Sequence, residues 1–209
     1  LSTYNILLPE YKNKKIKNRN LVIFPFTKSL KINNDDDITD DFGEGQTEEI
    51  YINLIKTKFI PDLKNKSTFK EIQYLNSNKN IDFEDVYFIM KDSVKIKFRI
   101  PLSESLITYN DISADYILFI NKLEVSRVSQ SGYAPTYGPN GFTGGASITE
   151  YLTQEIEFYF WDNLEQKIVS YGNRTASTSF NFAMTQKTWY KWFENLAQLV
   201  LEDSSFKKW

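Results

Sequence analysis

Six apolar side chains near the C-terminus, Trp189, Trp192, Phe193, Leu196, Leu199 and Val200, fall at positions i, i+3, i+4, i+7, i+10 and i+11. Only an α-helix brings such a set to one side, so the spacing predicts a helix over residues 185–201 with Thr185 as its N-cap. A stripe this aromatic needs a broad apolar surface to lie against, and one face of a β-sheet supplies it. The rival use of the same aromatics is a groove for a ligand or partner.

The strands for that sheet are legible upstream. LVIFPF at 21–26 is a continuous β-rich apolar run that reads as a buried strand, with Pro25 marking the end where it leaves the sheet. Ile50, Leu54, Ile55 and Phe59 share one helical face, so a helix is expected over 46–60, ended by Pro61. TFKEIQYL at 68–75 then reads as a second strand anchored by Phe69 and Ile72, which makes the opening a βαβ unit. Residues 86–101 form two short strands around Lys91-Asp92-Ser93, and Val94, Ile96, Phe98 and Ile100 alternate with Lys95, Lys97 and Arg99. Residues 114–128 and 148–161 are long strands, and Asp162–Glu165 turns the chain into another at 166–170, giving a β-meander. The expected fold is thus a single α/β (α+β) domain with a mixed sheet, a βαβ start, a meander and a C-terminal aromatic helix. Its boundaries are 21–209, preceded by a polar, basic spacer over 1–20 (EYKNKKIKNRN at 10–20).

Residues 130–146, QSGYAPTYGPNGFTGGA, hold five of the eight Gly and two of the six Pro, together with Tyr133, Tyr137 and Phe142. Lying between two long strands, the segment is expected as an inserted loop at a hairpin tip. Either it is a loop without fixed structure, or its rings serve as contact area for a partner at low entropic cost.

Catalytic chemistry is narrowed by two absences, since the chain has no Cys and no His. That removes thiolate nucleophiles, disulfides, zinc–cysteine sites, and the histidine base of the common triads and dyads. What is left for an enzyme is carboxylate chemistry. The acids Asp35, Asp36, Asp37, Asp40 and Asp41 are candidate ligands for Ca²⁺ or Mg²⁺, although they lack EF-hand order and otherwise read as a solvated loop. Glu155 and Glu157 share a strand face, the solvent side of a half-buried strand, with nothing to mark one as acid and the other as base. Gly43-Glu44-Gly45 lacks a third Gly and sits among acids that repel phosphate. Ser67-Thr68-Phe69-Lys70 matches S-x-x-K alone and opens a strand where that motif needs a helix. With 25 basic and 27 acidic residues the net charge is −2, and the alternation at 94–99 puts Phe98 opposite the cations, so nucleic acid is not an expected partner. No cofactor is expected.

No apolar run approaches the roughly 20 residues of a membrane-spanning helix. The first residue is Leu1, which is read as the start of a mature or trimmed form with a signal peptide or lipid-anchor site upstream. Across about half the chain, LVIFPF (21–26), ADYILFINKLEVSR (114–127) and EIEFYFWDNLEQKIVSYGNRTAS (155–177) resemble the TolB amino-terminal and related envelope lipoprotein domains, including penicillin-binding-protein activator and curli-secretion lipoproteins. The chain departs from that pattern in lacking a turn Gly between Asp162 and Ile168 and in carrying the Gly/Tyr segment as an insertion. The resemblance implies a non-enzymatic bacterial envelope module, periplasmic and held at the outer membrane by a lipid anchor, that docks to another envelope protein. The aromatic segment, through Tyr133, Tyr137 and Phe142, is the expected contact. A carboxylate hydrolase using a divalent metal is the alternative.

Overall fold

The computed structural model describes residues 4–208 apart from 25–29, 34–35, 76–80, 90–94, 103–105, 110–111, 139–140 and 181–183. In chain order the elements are β1 (Tyr4–Leu7), a 3-10 turn (Pro9–Tyr11), β2 (Asn20–Ile23), β3 (Leu30–Ile32), α1 (Asp36–Phe42) and α2 (Thr47–Leu54). A π-helical turn (Ile55–Phe59) leads into α3 (Ile60–Lys66), then β4 (Glu71–Tyr74), β5 (Phe83–Ile89), β6 (Lys95–Pro101), β7 (Thr108–Tyr109) and β8 (Ile112–Ser113). The chain finishes with β9 (Tyr116–Gly138), β10 (Gly141–Asp162), β11 (Lys167–Phe180) and α4 (Gln186–Leu201).

The fold is the expected single mixed α+β domain. Its main sheet has the order β1-β11-β10-β9-β2-β4, with β3 also paired to β9. β2 runs parallel to both β4 and β9, the βαβ start, whereas β9, β10 and β11 pair antiparallel as the meander.

At the centre lies the run Phe158-Tyr159-Phe160-Trp161 on β10, four consecutive rings that are all buried. Successive side chains on a strand point to opposite faces, so a buried run of this kind requires cover on both. On one face Phe158 and Phe160 join Leu118, Leu123 and Ile156 beneath α2, α3 and α4. The stripe of α4 closes this layer with Trp189, Trp192, Phe193, Leu196 and Val200 buried, while Leu199 is only half-buried and Ala197 and Leu201 complete the contact. On the opposite face Tyr159 and Trp161 pack with Ile117, Phe119, Ile168 and Tyr171. Cover there comes from the β5–β6 hairpin, whose Phe98 sits edge-on to Tyr159 at 5.6 Å and to Tyr171 at 5.0 Å. Where its side chains are described, from Lys97 onward, the alternation does what it predicts: Phe98 faces inward, and Lys97 faces out to pair with Asp85 at 2.7 Å.

Three local expectations are corrected. Pro61 does not end the helix, because the wide π-helical turn before it, closed by Ile60 N–H to Ile55 O, relaxes the clash between the proline ring and the preceding carbonyls. The aspartate-rich segment is not all loop, since 36–42 form α1, closed by Gly43 at φ +92°. Residues 4–18 are not a spacer. β1 pairs with β11 along residues 170–173, so closely that a Cβ on Gly172 would lie 3.0 Å from Tyr4 O, and Tyr11 and Ile16 are buried in the core. A short polar stretch is enough to mask these anchors in the sequence.

The turn after β10 ties both layers together. Asp162 Oδ1 accepts the N–H groups of Leu164 and Glu165 at 3.1 and 3.0 Å, and its Oδ2 accepts the Tyr11 hydroxyl at 2.9 Å. The left-handed position that a Gly would fill is taken by Gln166 at φ +51°. Asn163, fully buried, accepts from Ile107 N at 3.1 Å and donates to Ile107 O and Ala114 O at 3.0 and 2.8 Å. Asn163→Ala strands these buried backbone groups, so it is expected to cost about 3 kcal/mol. Urea unfolding followed by tryptophan fluorescence would measure this, and a loss within error of zero would show that Asn163 is dispensable for holding the 107–114 segment.

Candidate functional site

β9 and β10 are far longer than the body they serve. β3 leaves β9 opposite Val125, and β11 ends at Phe180 opposite Glu150. Beyond those points the described residues form two strands only, with register pairs continuing from Glu150↔Ser129 to Gly141↔Gly138. At about 3.3 Å per residue this two-stranded ribbon is roughly 33 Å long. Ser129 to Gly132 are exposed, and the apolar residues Val128 and Ile148 are 46% and 71% exposed.

The base of the ribbon is clamped by charge. Arg127 donates to Glu150 at 2.5 Å, and its guanidinium lies 5.2 Å from the centroid of Phe180. Between this pair, residues 128–149 carry no charged side chain in a chain that is 25% charged. The segment predicted as a loop is thus strand up to Gly138 and again from Gly141. Gly and Pro are compatible with this because both strands of a ribbon are edge strands, where proline is tolerated, and Pro135 is the register partner of Gly144.

Register also decides how the predicted contact residues relate. Tyr137 is the partner of Phe142, and Tyr133 is the partner of Ala146 four residues further along. All three therefore occupy same-parity positions on one face, with Pro135, Ala146 and Ile148. The opposite parity is Val128, Gln130, Gly132, Ala134, Thr136 and Gly138 against Gly141, Thr143, Gly145, Ser147 and Thr149. The side chains of Tyr133, Tyr137 and Phe142 lie outside the described residues. This two-faced pattern was the signal for strand, and the density of Gly and Pro hides it from a reading for turns.

Below the clamp, the sheet face away from the helices carries a ladder of ion pairs. Lys31 pairs with Glu124 at 3.1 Å, and Lys122 reaches Glu124 at 3.4 Å and Glu155 at 2.7 Å. Lys122 and Lys31 hold the Glu155 and Glu124 carboxyls, respectively, below their ordinary range, whereas burial pushes Glu157 above it. The Asn173 amide reaches Glu155 Oε1 at 3.2 Å and Glu157 Oε1 at 3.5 Å. Both carboxylates are thus engaged in joining strands.

Of the five candidate metal ligands, only Asp40 and Asp41 have described side chains. Asp35 lies outside the described residues, as do the side chains of Asp36 and Asp37, while Asp40 is exposed on α1. Asp41 Oδ2 accepts the Trp189 indole N–H at 2.8 Å and its carbonyl accepts from the Gln186 amide, so it docks α4. Among the described residues no three acidic, His or Cys side chains are grouped to hold an ion. A polar cleft of about 130 Å³ is lined by Lys14, Arg19, Asp115, Tyr116, Asp162 and Glu165. Its acids are committed: Asp115 to Arg19 at 3.1 Å and to Asn20 N at 2.8 Å, Asp162 to the turn, and Glu165 to Lys167 at 3.7 Å.

No family model and no curated protein matches the sequence. Among solved structures, the chain is similar to a PelC variant from Paraburkholderia phytofirmans, described as a dodecamer, with a TM-score of 0.40, 9% identity, and 95% of each chain covered. It is similar also to a neuraminyllactose-binding hemagglutinin homologue from Helicobacter pylori, with a TM-score of 0.39 and 9% identity over 91% of this chain and 86% of that one. A minor lipoprotein from Acinetobacter baumannii gives a TM-score of 0.33 and 14% identity over 91% of this chain and 98% of that one. Likeness at these scores carries no argument about function.

The two glutamates predict opposite responses. A carboxyl held low in the folded chain stabilises it above the unfolded pKa, and that contribution fades as pH falls through the folded value; a carboxyl held high destabilises the folded chain at neutral pH and ceases to do so in acid. At neutral pH, Glu155→Gln is expected to lower the melting temperature and Glu157→Gln to raise it. Both differences shrink toward zero in melts recorded below the carboxylate range. A drop for Glu157→Gln at neutral pH would mean its charge has a partner that offsets burial.

Proposed function

We propose that the chain is a non-enzymatic cell-envelope module for protein binding or assembly, with the 128–149 ribbon as its contact surface and Tyr133, Tyr137 and Phe142 on the contact face. The observation that carries this reading is the ribbon itself: a long, uncharged two-stranded extension whose three aromatic positions fall on one parity. Two-stranded ribbons are marginal in water, and surface of this kind is ordinarily put to use in recognition. Tyr and Phe offer contact area with few rotatable bonds, which lowers the entropic cost of ordering them on binding. The envelope setting, the lipid anchor and the docking role rest on the resemblance of LVIFPF, ADYILFINKLEVSR and the strand pair around Asp162 to envelope lipoprotein domains.

Crosslinking in native cells, followed by capture and mass spectrometry, tests it. The triple substitution Tyr133→Ser, Tyr137→Ser and Phe142→Ser is expected to abolish a discrete crosslinked envelope species while shifting the melting temperature by less than a degree or so, since the three positions lie on the two-stranded ribbon beyond the last pairing with β11. Crosslinks that persist in the variant, or that join only cytosolic proteins, would overturn the reading. A large fall in melting temperature would make the three rings structural.

A further inference from the structure

We infer that the end of the main sheet opposite the ribbon is a docking surface for an anionic lipid interface, its lysines meeting the headgroups and its exposed leucines entering the boundary beneath them.

Three segments far apart in the sequence build this surface. Residues 10–19, 64–70 and 205–208 hold ten of the chain's 25 basic residues and a single acid, Glu10. Backbone hydrogen bonds knit them together: Asn18 N–H donates to Thr68 O at 3.3 Å, Lys70 N–H to Arg19 O at 2.9 Å, Thr68 N–H to Phe206 O at 2.7 Å and Lys208 N–H to Lys66 O at 2.9 Å. Arg19, Lys64 and Lys66 have acidic partners in Asp115, Glu71 and Glu194. Lys12, Lys15, Lys17, Lys70 and Lys207 have no acidic partner among the described residues, and all but the half-buried Lys207 are exposed. Like charge gathered this densely repels itself, and an anionic partner relieves the repulsion.

The long elements give the surface a direction. β9 starts beside it, at Tyr116 opposite Leu21, and runs 23 residues to Gly138, so the ribbon tip lies roughly 70 Å away along the strand. α4 ends beside it as well, and the other end of that helix, about 24 Å off, holds the aspartates of α1 through Asp41 and Trp189. Charge is thus separated along the molecule although the net charge is only −2, and an anionic plane attracts the basic end.

Apolar side chains name the occupant. Leu106 and Leu164 are 50% and 57% exposed, and they adjoin the bonded pair Ile107 and Asn163 at this same end. Leu164 also lines the polar cleft with Lys14 and Arg19. Leucines exposed beside lysines suit an interface where headgroup charge and acyl chains meet, whereas a soluble polyanion has no use for them. Single-stranded nucleic acid stacks on exposed rings, and the rings of these segments, Tyr11, Phe69 and Phe206, are all buried.

Flotation of the purified chain, carrying no attached lipid, with vesicles of phosphatidylcholine and phosphatidylglycerol in equal parts reads the outcome. The chain is expected to float with these vesicles at low salt, to stay behind with phosphatidylcholine alone, and to be released as salt rises. A lysine near an anionic surface is worth about fivefold in affinity, so Lys12→Gln with Lys15→Gln and Lys17→Gln is expected to weaken binding roughly 100-fold at an unchanged melting temperature. Leu106→Ser with Leu164→Ser is expected to weaken binding severalfold and to leave its salt dependence as in the wild type. No flotation, equal flotation with both vesicles, or a lysine variant that binds like the wild type overturns the inference; the salt and lipid arms need no substitution, so a misfolded variant does not spare it. A leucine variant that binds undiminished overturns it too, since charge alone would then make the occupant a soluble polyanion. The ribbon variant Tyr133→Ser, Tyr137→Ser and Phe142→Ser is expected to float like the wild type, and its failure to float would move the lipid contact to the ribbon. If the wild type does not float while aromatic-dependent crosslinks to a different protein persist in cells, the lipid surface fails and the ribbon's contact role stands.

Discussion

Four aromatic rings in a row on a central strand are the constraint around which this molecule is organised. Phe158, Tyr159, Phe160 and Trp161 are all buried, and strand geometry sends them alternately to the two faces of the sheet. Each ring withdrawn from water is worth roughly 1.5–3 kcal/mol, so neither face can be left open without forfeiting several times that amount. The helical layer answers one face and the β5–β6 hairpin answers the other. The C-terminal tail follows the same logic, because Phe206 packs 4.9 Å from Phe160 and 4.7 Å from Phe69, bringing the end of the chain back against the core.

The same strand also carries the candidate site. β10 begins at Gly141 in the ribbon and ends at Asp162 in the turn that holds Tyr11. Along its length the composition changes from small and uncharged, through the glutamates of the ion-pair ladder, to the aromatic core. The Arg127–Glu150 pair marks the boundary, and the ladder of Lys31, Glu124, Lys122 and Glu155 stitches β3, β9 and β10 just below it. A rigid base of this kind lets a two-stranded extension keep a defined direction, which is what presenting an edge or a face to another molecule requires.

How far residues alone reveal this depends on whether a local pattern has one physical reading. The α4 stripe has one, as does the alternation of Lys97, Phe98 and Arg99, and both take the predicted form. Pro61 has two, since a proline ends an ordinary helix yet is accommodated after a π-helical turn, and nothing local distinguishes them. Residues 10–18 look like solvated linker because Tyr11 and Ile16 stand alone among lysines and asparagines; their partners, Asp162 among them, lie far along the chain. Gly and Pro at 130–146 point to a loop only if the strand they interrupt needs a full ladder on both sides, and in a ribbon it does not.

The sequence by itself determined the class of fold, the aromatic helix, the meander, and the removal of histidine and cysteine chemistry, because periodicity and composition act within a few residues. Only the tertiary structure decided that the N-terminal stretch is an edge strand, that Asp41 docks Trp189, that Glu155 and Glu157 belong to a strand-joining ladder, and that Tyr133, Tyr137 and Phe142 share one parity. Each of these depends on register between distant strands or on a partner far off in the chain. Register is fixed by burying the aromatic run on both faces at once, a condition no short window of residues contains.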